Sequence, residues 1–488
     1  MKRFSYLLLL LLGINMLLFC NSNNAGKNLS DDTVEVDSFA TISMIFVGDI
    51  MGHDRQITAA WCEETQTYDY VHNFQYVKPI LSSYDLAFGN LEVTLPGKPP
   101  YAGYPQFKSP DALAYALRDA GFNVMVTANN HSNDGYGAAL IHTIDTLRRL
   151  GFYQTGTFKN IEERDSLYPL IIEEKGFKIA ILNYTYGTNG IPDEAPTFVN
   201  LNNKDLMLKD IEKAKSIEPD LIIAIMHWGD EYQLIENKYQ RDNAKLLAEN
   251  GVDLIIGGHP HVLQPVKYVS AGENDSVLTV YSLGNYISNQ RRVNTDGGMM
   301  FEISYSKNIF TNEIKKNDFY HHIVWRYRSP KTEKHPEGQF FVIPVAAYEA
   351  EILENLAMPD EDVKSMNDFT ERMRKHMKDN SVSTEKLYNR KQDSKASAEV
   401  KASDEQSLVS KSEVLFHVQL LATSQPSLEK FDGFFVKVIE IKEGNLYKYL
   451  TVGYVNRSDA EKIIPQIKEA GYEDTFIVKY QGNTRVVE

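Results

Sequence analysis

The sequence predicts an α/β fold, a layered sheet sandwich with helices outside, joined through a linker to a small α+β domain. Three observations carry this reading. Between Asn28 and about Met358, short branched aliphatic runs alternate with stretches of helical periodicity that end in glycine, the order expected when helices cover sheets. Over residues 378–412 large apolar side chains become scarce, so this stretch cannot bury enough surface to fold. From Val414 onward, alternation of apolar and polar residues returns.

In chain order, "MKRFSYLLLLLLGINMLLFC" places Lys2 and Arg3 before an apolar stretch ending at Cys20, the layout of a secretory signal over residues 1–20. A spanning anchor is the alternative, but the Asn-rich "NSNNAGKN" that follows lacks a basic stop-transfer cluster. Cys20 resembles the lipidated cysteine of bacterial lipoproteins, with Phe19 standing where a small residue is usual. That resemblance implies an exported protein of the bacterial cell envelope, periplasmic or held to a membrane by lipid on Cys20. Residues 21–39 are then an N-terminal linker. Cys62 is the only other cysteine, so with Cys20 acylated no intrachain disulfide can form.

Residues 40–377 hold the main domain. Strand candidates are "TISMIFVGD", "LAFGNLE", "VMVTANN", "KIAILNYT", "LIIAIMHWG", "VDLIIGGH" and "VLTVYSLGN", short and apolar as buried strands are. "SPDALAYALRDAG", "GAALIHTIDTLRRLG" and "NAKLLAENG" have helical spacing and a closing glycine. In residues 413–488, "VLFHVQLLATS", "YKYLTVGYV" and "DTFIVKYQG" alternate like strands, and "SDAEKIIPQIKEAGY" reads as a helix opened by a serine cap. With 488 residues and 43% hydrophobic content the chain can bury at least one large core. The formal net charge of −15 disfavours nonspecific attraction to nucleic acid or an anionic membrane. A polyanionic substrate would need local positive groups, such as a metal ion.

Several strands end in metal-competent, polar or glycine residues: Gly48-Asp49, Gly89-Asn90-Leu91-Glu92, Asn129-Asn130-His131, His227-Trp228-Gly229, His259-Pro260-His261 and Gly284-Asn285. Binding crevices of α/β sheets lie beyond the carboxyl ends of strands, so such groups can converge. Singly, each fits a structural role: Asp49 as a turn cap, Asn130 bonding loop backbone, His227 as a core histidine. Together they favour a mixed oxygen and imidazole site. In an extended His-x-His the two imidazoles point the same way. Imidazoles suit Mn, Fe, Zn or Co, and carboxylates offset the cation charge; two such ions can activate a bridging water.

These motifs, "FVGDIM" (46–51), "GNLEVTLPG" (89–97), "TANNHSNDGYG" (127–137), "MHWGDEY" (226–232), "GGHPHVLQP" (257–265) and "YSLGNY" (281–286), resemble the CapA family of capsule or poly-γ-glutamate synthesis proteins. The resemblance implies a four-layer α/β/β/α sandwich of the metallophosphatase kind, with one or two divalent transition metal ions (Mn, Fe or Zn). It makes Asp49, Asn130, His227, His259 and His261 metal ligands, the last two on different ions, and His131 the catalytic histidine. Two departures stand out. The usual Asp-x-His reads Asp49-Ile50-Met51, and the bridging carboxylate falls in "GNLE", where Asn90 or Glu92 could serve. Glu231, Arg55 and Asn285 lie in family-like motifs, where a substrate role and a loop-shaping role are both open. The implied function is metal-dependent hydrolysis or transfer in the synthesis, export or attachment of a capsule polymer; a non-catalytic scaffold with a degenerate site is the rival.

The C-terminal stretches "FHVQLLATSQPS" (416–427) and 447–486 are similar to the SPOR domain. That resemblance implies a ferredoxin-like fold, helices on one face of an antiparallel sheet, that binds peptidoglycan glycan strands. Gln419, Tyr447, Tyr449 and Tyr454 are candidate sugar contacts, tyrosine offering a flat face with a polar tip; strand packing is the alternative for each.

Overall fold

The computed structural model describes residues 39–273, 275–388, 414–423, 438–443, 446–451, 457–469, 471–481 and 484–486. Cys20 with the signal segment, residues 389–413 of the linker, and Tyr454 lie outside the described residues.

All seven strand candidates are strands. They include β1 (Phe39–Ile50), β2 (Leu86–Leu91), β3 (Val124–Val126), β4 (Phe177–Thr185), β5 (Leu221–His227), β6 (Leu254–Gly258) and β7 (Ser276–Leu283). Two long strands that the sequence reading did not pick out, β8 (Gly297–Asn308) and β9 (Ile314–Arg328), extend the first sheet. That sheet runs Phe340–Pro344, β9, β8, β1, β2, β3 and Tyr153–Thr155, with two short strands joining it; the second runs Leu263–Ser270, β7, β6, β5, β4 and Leu170–Glu174. Each sheet is mixed, with parallel strands at its centre. The parallel register brings polar strand ends abreast: Asp49 lies beside Asn90 and Asn285 in one sheet, and His227 beside Gly258 and Thr185 in the other.

Period-two alternation builds four layers. Phe46, Phe88 and Val126 of the first sheet meet Ile179, Ile223 and Ile256 of the second in one central core. Their neighbours Ile45, Ala87 and Met125 point outward onto Leu113 and Leu117 of helix α1 (Ala112–Asp119) and Leu147 of α2 (Tyr136–Arg149). On the far side Ala180, Ala224 and Ile255 meet Met207 and Ile211 of α3 (Lys204–Lys215) and Ala244 and Leu247 of α4 (Lys238–Glu249). Helix α5 (Asp360–Asn380) adds Met366, Phe369, Met373 and Met377 to the central core. Phe46 and Phe88 stack there at 4.4 Å. Phe88→Ala is expected to lower unfolding free energy by about 3–5 kcal/mol, read from urea denaturation of the chain.

The linker begins later than residue 378. Helix α5 runs to Asn380, and Thr384–Glu385 adds a parallel strand beside Tyr320 and His321 of β9. Lys386 then bonds Glu302 at 3.1 Å and Tyr388 bonds His322 at 2.8 Å. Burial alone would raise the Glu302 pKa, but His322, Tyr84 and Lys386 outweigh it and hold it down to about 2. A polar stretch is ordered here because a buried carboxylate and a buried imidazole supply its partners.

The C-terminal unit is an antiparallel sheet in the order Val438–Glu443, Leu446–Thr451, Val414–Thr423, Phe476–Gln481, Thr484–Val486. Helix α6 (Arg457–Glu469) packs Ala460 and Ile467 against Val418, Leu420 and Tyr449. Ser458 lies inside this helix rather than at its cap.

Candidate metal centre

The ends of β1, β2, β5 and β6 come together at one edge of the sandwich, so groups far apart in sequence face each other across the two sheets. Asp49, Glu92, Asn130, His227, His259 and His261 are all buried. Backbones approach closely beneath them: a Cβ on Gly48 would stand 1.9 Å from the carbonyl oxygen of Gly284, and one on Gly258 would stand 2.8 Å from Asp49 Oδ1. Glycine is needed at both places on space alone.

Two groups of ligand atoms emerge. Those of Asp49, Glu92 and His227 lie within 4.8 Å of one another, and so do those of Glu92, His259 and His261. Glu92 is therefore common to both. Its Oε1 is 3.4 Å from His227 Nε2 and 3.9 Å from His261 Nε2, yet among the described residues neither Glu92 oxygen has a hydrogen-bond partner, and neither has His259 Nδ1. Burying an unpaired carboxylate costs several kcal/mol or forces its protonation (roughly, by the transfer scales). Burial, together with the charge of Asp49, pushes the Glu92 pKa well above the usual carboxylate range. A cation would supply the missing partner, so the donor set fits a metal.

The other groups are held ready. Asp49 Oδ1 accepts from Asn90 Nδ2 at 2.9 Å, and Oδ2 accepts from His261 Nδ1 at 3.0 Å and from the His259 backbone N–H at 3.3 Å. Burial would raise the Asp49 pKa, but the His261 bond and nearby imidazoles hold it below the ordinary range. His261 thus donates through Nδ1 and keeps Nε2 toward Glu92, the arrangement that fixes a ligating tautomer. His227 Nε2 is 2.6 Å from Asn130 Oδ1. Burial lowers the pKa of His227 to about 3 and that of His259 well below its usual value, so both are neutral and competent as ligands at pH 7.

The geometry bears on three points of the sequence. Asn90 and Glu92 were interchangeable by sequence; in the fold Asn90 gives its amide nitrogen to Asp49 and its oxygen to Asn129 Nδ2 at 3.0 Å, leaving Glu92 as the carboxylate that reaches both groups. The ligand atoms of His259 and His261 lie close to each other and to Glu92. The two residues are not extended but sit at φ +97° and +59°, a left-handed geometry that non-glycine residues adopt at a cost and that concentrates at functional sites. Met51, in the place of an imidazole, is buried in the outer core of the first sheet.

His131 is buried beside the cluster, its Nδ1 2.6 Å from Asp134 Oδ2 and its ring edge-on to Phe107 at 4.6 Å. Glu231 is exposed at the mouth, where its charge acts on Glu92 and Tyr186. Arg55 is exposed on the helix Asp54–Ala60, and among the described residues it makes no hydrogen bond or ion pair with the cluster. Asn285 donates to Gln290 and to the Thr295 carbonyl, a loop-shaping role. In the C-terminal unit Tyr449 is buried against the helix and Tyr447 is half-buried on the same side. Gln419 pairs with Leu450, which belongs to a cluster on the opposite face. The described candidate sugar contacts therefore do not form one surface.

Sequence reasoning did not single out Asp134, Tyr186 or Tyr232. Asp134 follows His131 by three residues, a spacing that could have been noticed. Tyr186 lies over His259 at 4.5 Å and His227 at 6.5 Å, and no motif announces it.

Residues 43–290, just over half of the chain, match the family model described as bacterial capsule synthesis protein PGA_cap. The chain belongs to that family. Within it, the chain is 31% identical over 264 residues to the capsule biosynthesis protein CapA of Bacillus anthracis, covering 51% of this chain and 60% of that protein. It is 28% identical over 300 residues to the PGA biosynthesis protein CapA of Bacillus subtilis (strain 168), covering 58% of this chain and 70% of the relative. This PGA_cap member thus spans less than two thirds of the Bacillus anthracis protein's length. Among solved structures, it is similar to a novel phosphatase of Mycoplasma pneumoniae, at 15% identity and TM-score 0.32, over 58% of this chain and 94% of the other. It is also similar to the NAD nucleotidase NadN of Haemophilus influenzae, at 12% identity and TM-score 0.40, over 92% and 96%. All six ligand candidates of this PGA_cap member fall inside the matched stretch.

Proposed function

We propose that this protein is an exported envelope enzyme that uses one or two divalent transition metal ions to hydrolyse or transfer a phosphoester or amide bond during synthesis, export or attachment of poly-γ-glutamate or a related capsule polymer. The observation that carries this reading is the buried Glu92 carboxylate, which has no hydrogen-bond partner among the described residues and belongs to both candidate ligand groups. Asp49, Glu92, Asn130, His227, His259 and His261 would hold the ions. When bound, such ions lower the pKa of water and offset charge developing on the substrate. His131 supplies the proton for the leaving group; Asp134 takes its Nδ1 and so fixes the ring. Tyr186 covers the imidazoles and limits water access from that side.

The rest of the reading concerns place. Cys20 would carry a lipid that holds the chain to a membrane, and the SPOR-like residues 413–488 would bind peptidoglycan glycan strands; the helix on one face of an antiparallel sheet supports this. A scaffold without catalysis is the second reading, favoured by Met51 standing in the core where an imidazole would be needed.

Elemental analysis after Mn, Fe or Zn supplementation tests the metal. The intact chain is expected to retain at least one ion and His261→Ala to retain less. An intact chain that retains none removes the enzymatic reading. A metal-loaded chain that binds capsule polymer yet turns over no phosphoester or amide supports the scaffold. For the wall, the full chain is expected to sediment with amidase-treated peptidoglycan and a chain ending at residue 388 to stay in solution.

A further inference from the structure

The metal cluster carries neutral imidazoles and carboxylates, so something else must attract an anionic polymer to a protein of net charge −15. Two consecutive arginines at its mouth are suited to that. The Arg292 guanidinium lies 4.3 Å over the Tyr232 ring, and that ring is 6.2 Å from the His261 ring. The Tyr232 backbone N–H donates to the Pro260 carbonyl at 2.8 Å. The platform under Arg292 is therefore tied to the turn that carries His259 and His261. Both Arg291 and Arg292 are exposed, and among the described residues neither side chain makes a hydrogen bond or ion pair. A guanidinium stacked on an aromatic face with its donor fork unused is preset for a bidentate anion.

Arg291 opens on the other side into a cavity of about 600 Å³ that it lines with Arg326 and Arg328. Arg326 bonds Asp296 at 3.3 Å, but its Nε is buried without a partner. Burial lowers the Arg326 pKa, and the charges of Arg291 and Arg328 lower it further, as expected where cations crowd. Asp296 and, from α5, Glu361, Asp362 and Asp368 also line the cavity; they would repel an anion from its interior and keep it at the mouth beside Arg291.

We propose that Arg291 and Arg292 form an anion clamp. Arg292 holds a carboxylate or phosphate of the unit next to the metal cluster, and Arg291 holds the following unit at the mouth of the arginine-walled cavity. The ligand class is a chain with one negative charge on each unit. This rests on the capsule-polymer reading above and adds the residues that select the polymer.

Fluorescence anisotropy of the full chain with labelled poly-γ-glutamate, and separately with labelled polyphosphate, tests the clamp, with metal content and thermal unfolding measured on the same samples. The double variant Arg291→Gln/Arg292→Gln is expected to bind poly-γ-glutamate about tenfold more weakly or worse, with a flatter salt dependence and unchanged metal content and melting. Arg292→Lys, which keeps the charge and loses the fork, is expected to fall between. Weakening confined to poly-γ-glutamate supports a carboxylate clamp, and weakening of both polymers supports a general anion clamp. Equal binding by the double variant, or no binding of either polymer by the unchanged chain, overturns it. Metal retained in that case leaves the metal centre standing, whereas metal absent from the unchanged chain is the separate failure of the enzymatic reading.

Discussion

Glu92→Gln is expected to lose roughly one bound ion per chain or more, and at the same time to melt at a higher temperature than the unchanged protein when both are held in chelator. The two effects have one cause. In the metal-free state the Glu92 carboxylate is buried without a hydrogen-bond partner and beside Asp49, so its ionised form opposes folding. Glutamine keeps the shape and removes the charge. The pH dependence follows from the raised pKa of Glu92. Between the unfolded pKa near 4.5 and the higher folded value, the folded state holds a proton that the unfolded state has released, so stability falls as pH rises through that window. His227 and His259, with lowered pKa values, act in the opposite sense and lose stability as pH falls below about 6.5. Because both proteins share those histidines, the melting difference in chelator isolates Glu92 and is expected to widen from pH 4.5 upward. A difference that stays constant with pH removes the assignment of Glu92 as an uncompensated charge.

His131→Ala is expected to retain its metal and lose activity by about 10²–10⁴-fold on an activated phosphoester or amide. None of the ligand groups contains His131, and its Nδ1 is engaged by Asp134, so the ring is positioned for proton transfer beside the cluster. Asp134→Asn is expected to cost less than His131→Ala, because the ring remains but loses the acceptor that orients it. Elemental analysis alongside initial rates checks both variants. If His131→Ala loses metal in proportion to activity, His131 belongs to the coordination and not to the proton transfer.

Much of this was legible in the residues, for physical reasons that also explain what was missed. Buried parallel strands read clearly because both faces are apolar, and β1 to β7 were visible for that reason. Strands β8 and β9 were not, because sequences such as "IKKNDFYHHIVWRYR" mix charged with apolar residues. The Met366, Phe369, Met373 and Met377 stripe of α5 was readable at helical spacing but lay hidden in a very polar segment. At the site, the convergence of these residue types was legible and their exact arrangement was not. No residue type reports that His259 and His261 adopt left-handed backbone, nor that Asn90 turns its amide to Asp49 while Glu92 reaches inward. These depend on contacts between strands far apart in sequence, such as Asp49 with Asn90 and with His261.

The ligand set is split between the two sheets. Asp49, Glu92 and Asn130 lie at or just after the ends of strands of the first, and His227, His259 and His261 at or just after the ends of strands of the second. Apolar packing closes the sandwich along its length, but at this edge carboxylates of one sheet face imidazoles of the other. An ion held by these residues would work as a clasp on a book. Loading or stripping it would then change how firmly the two halves stay shut.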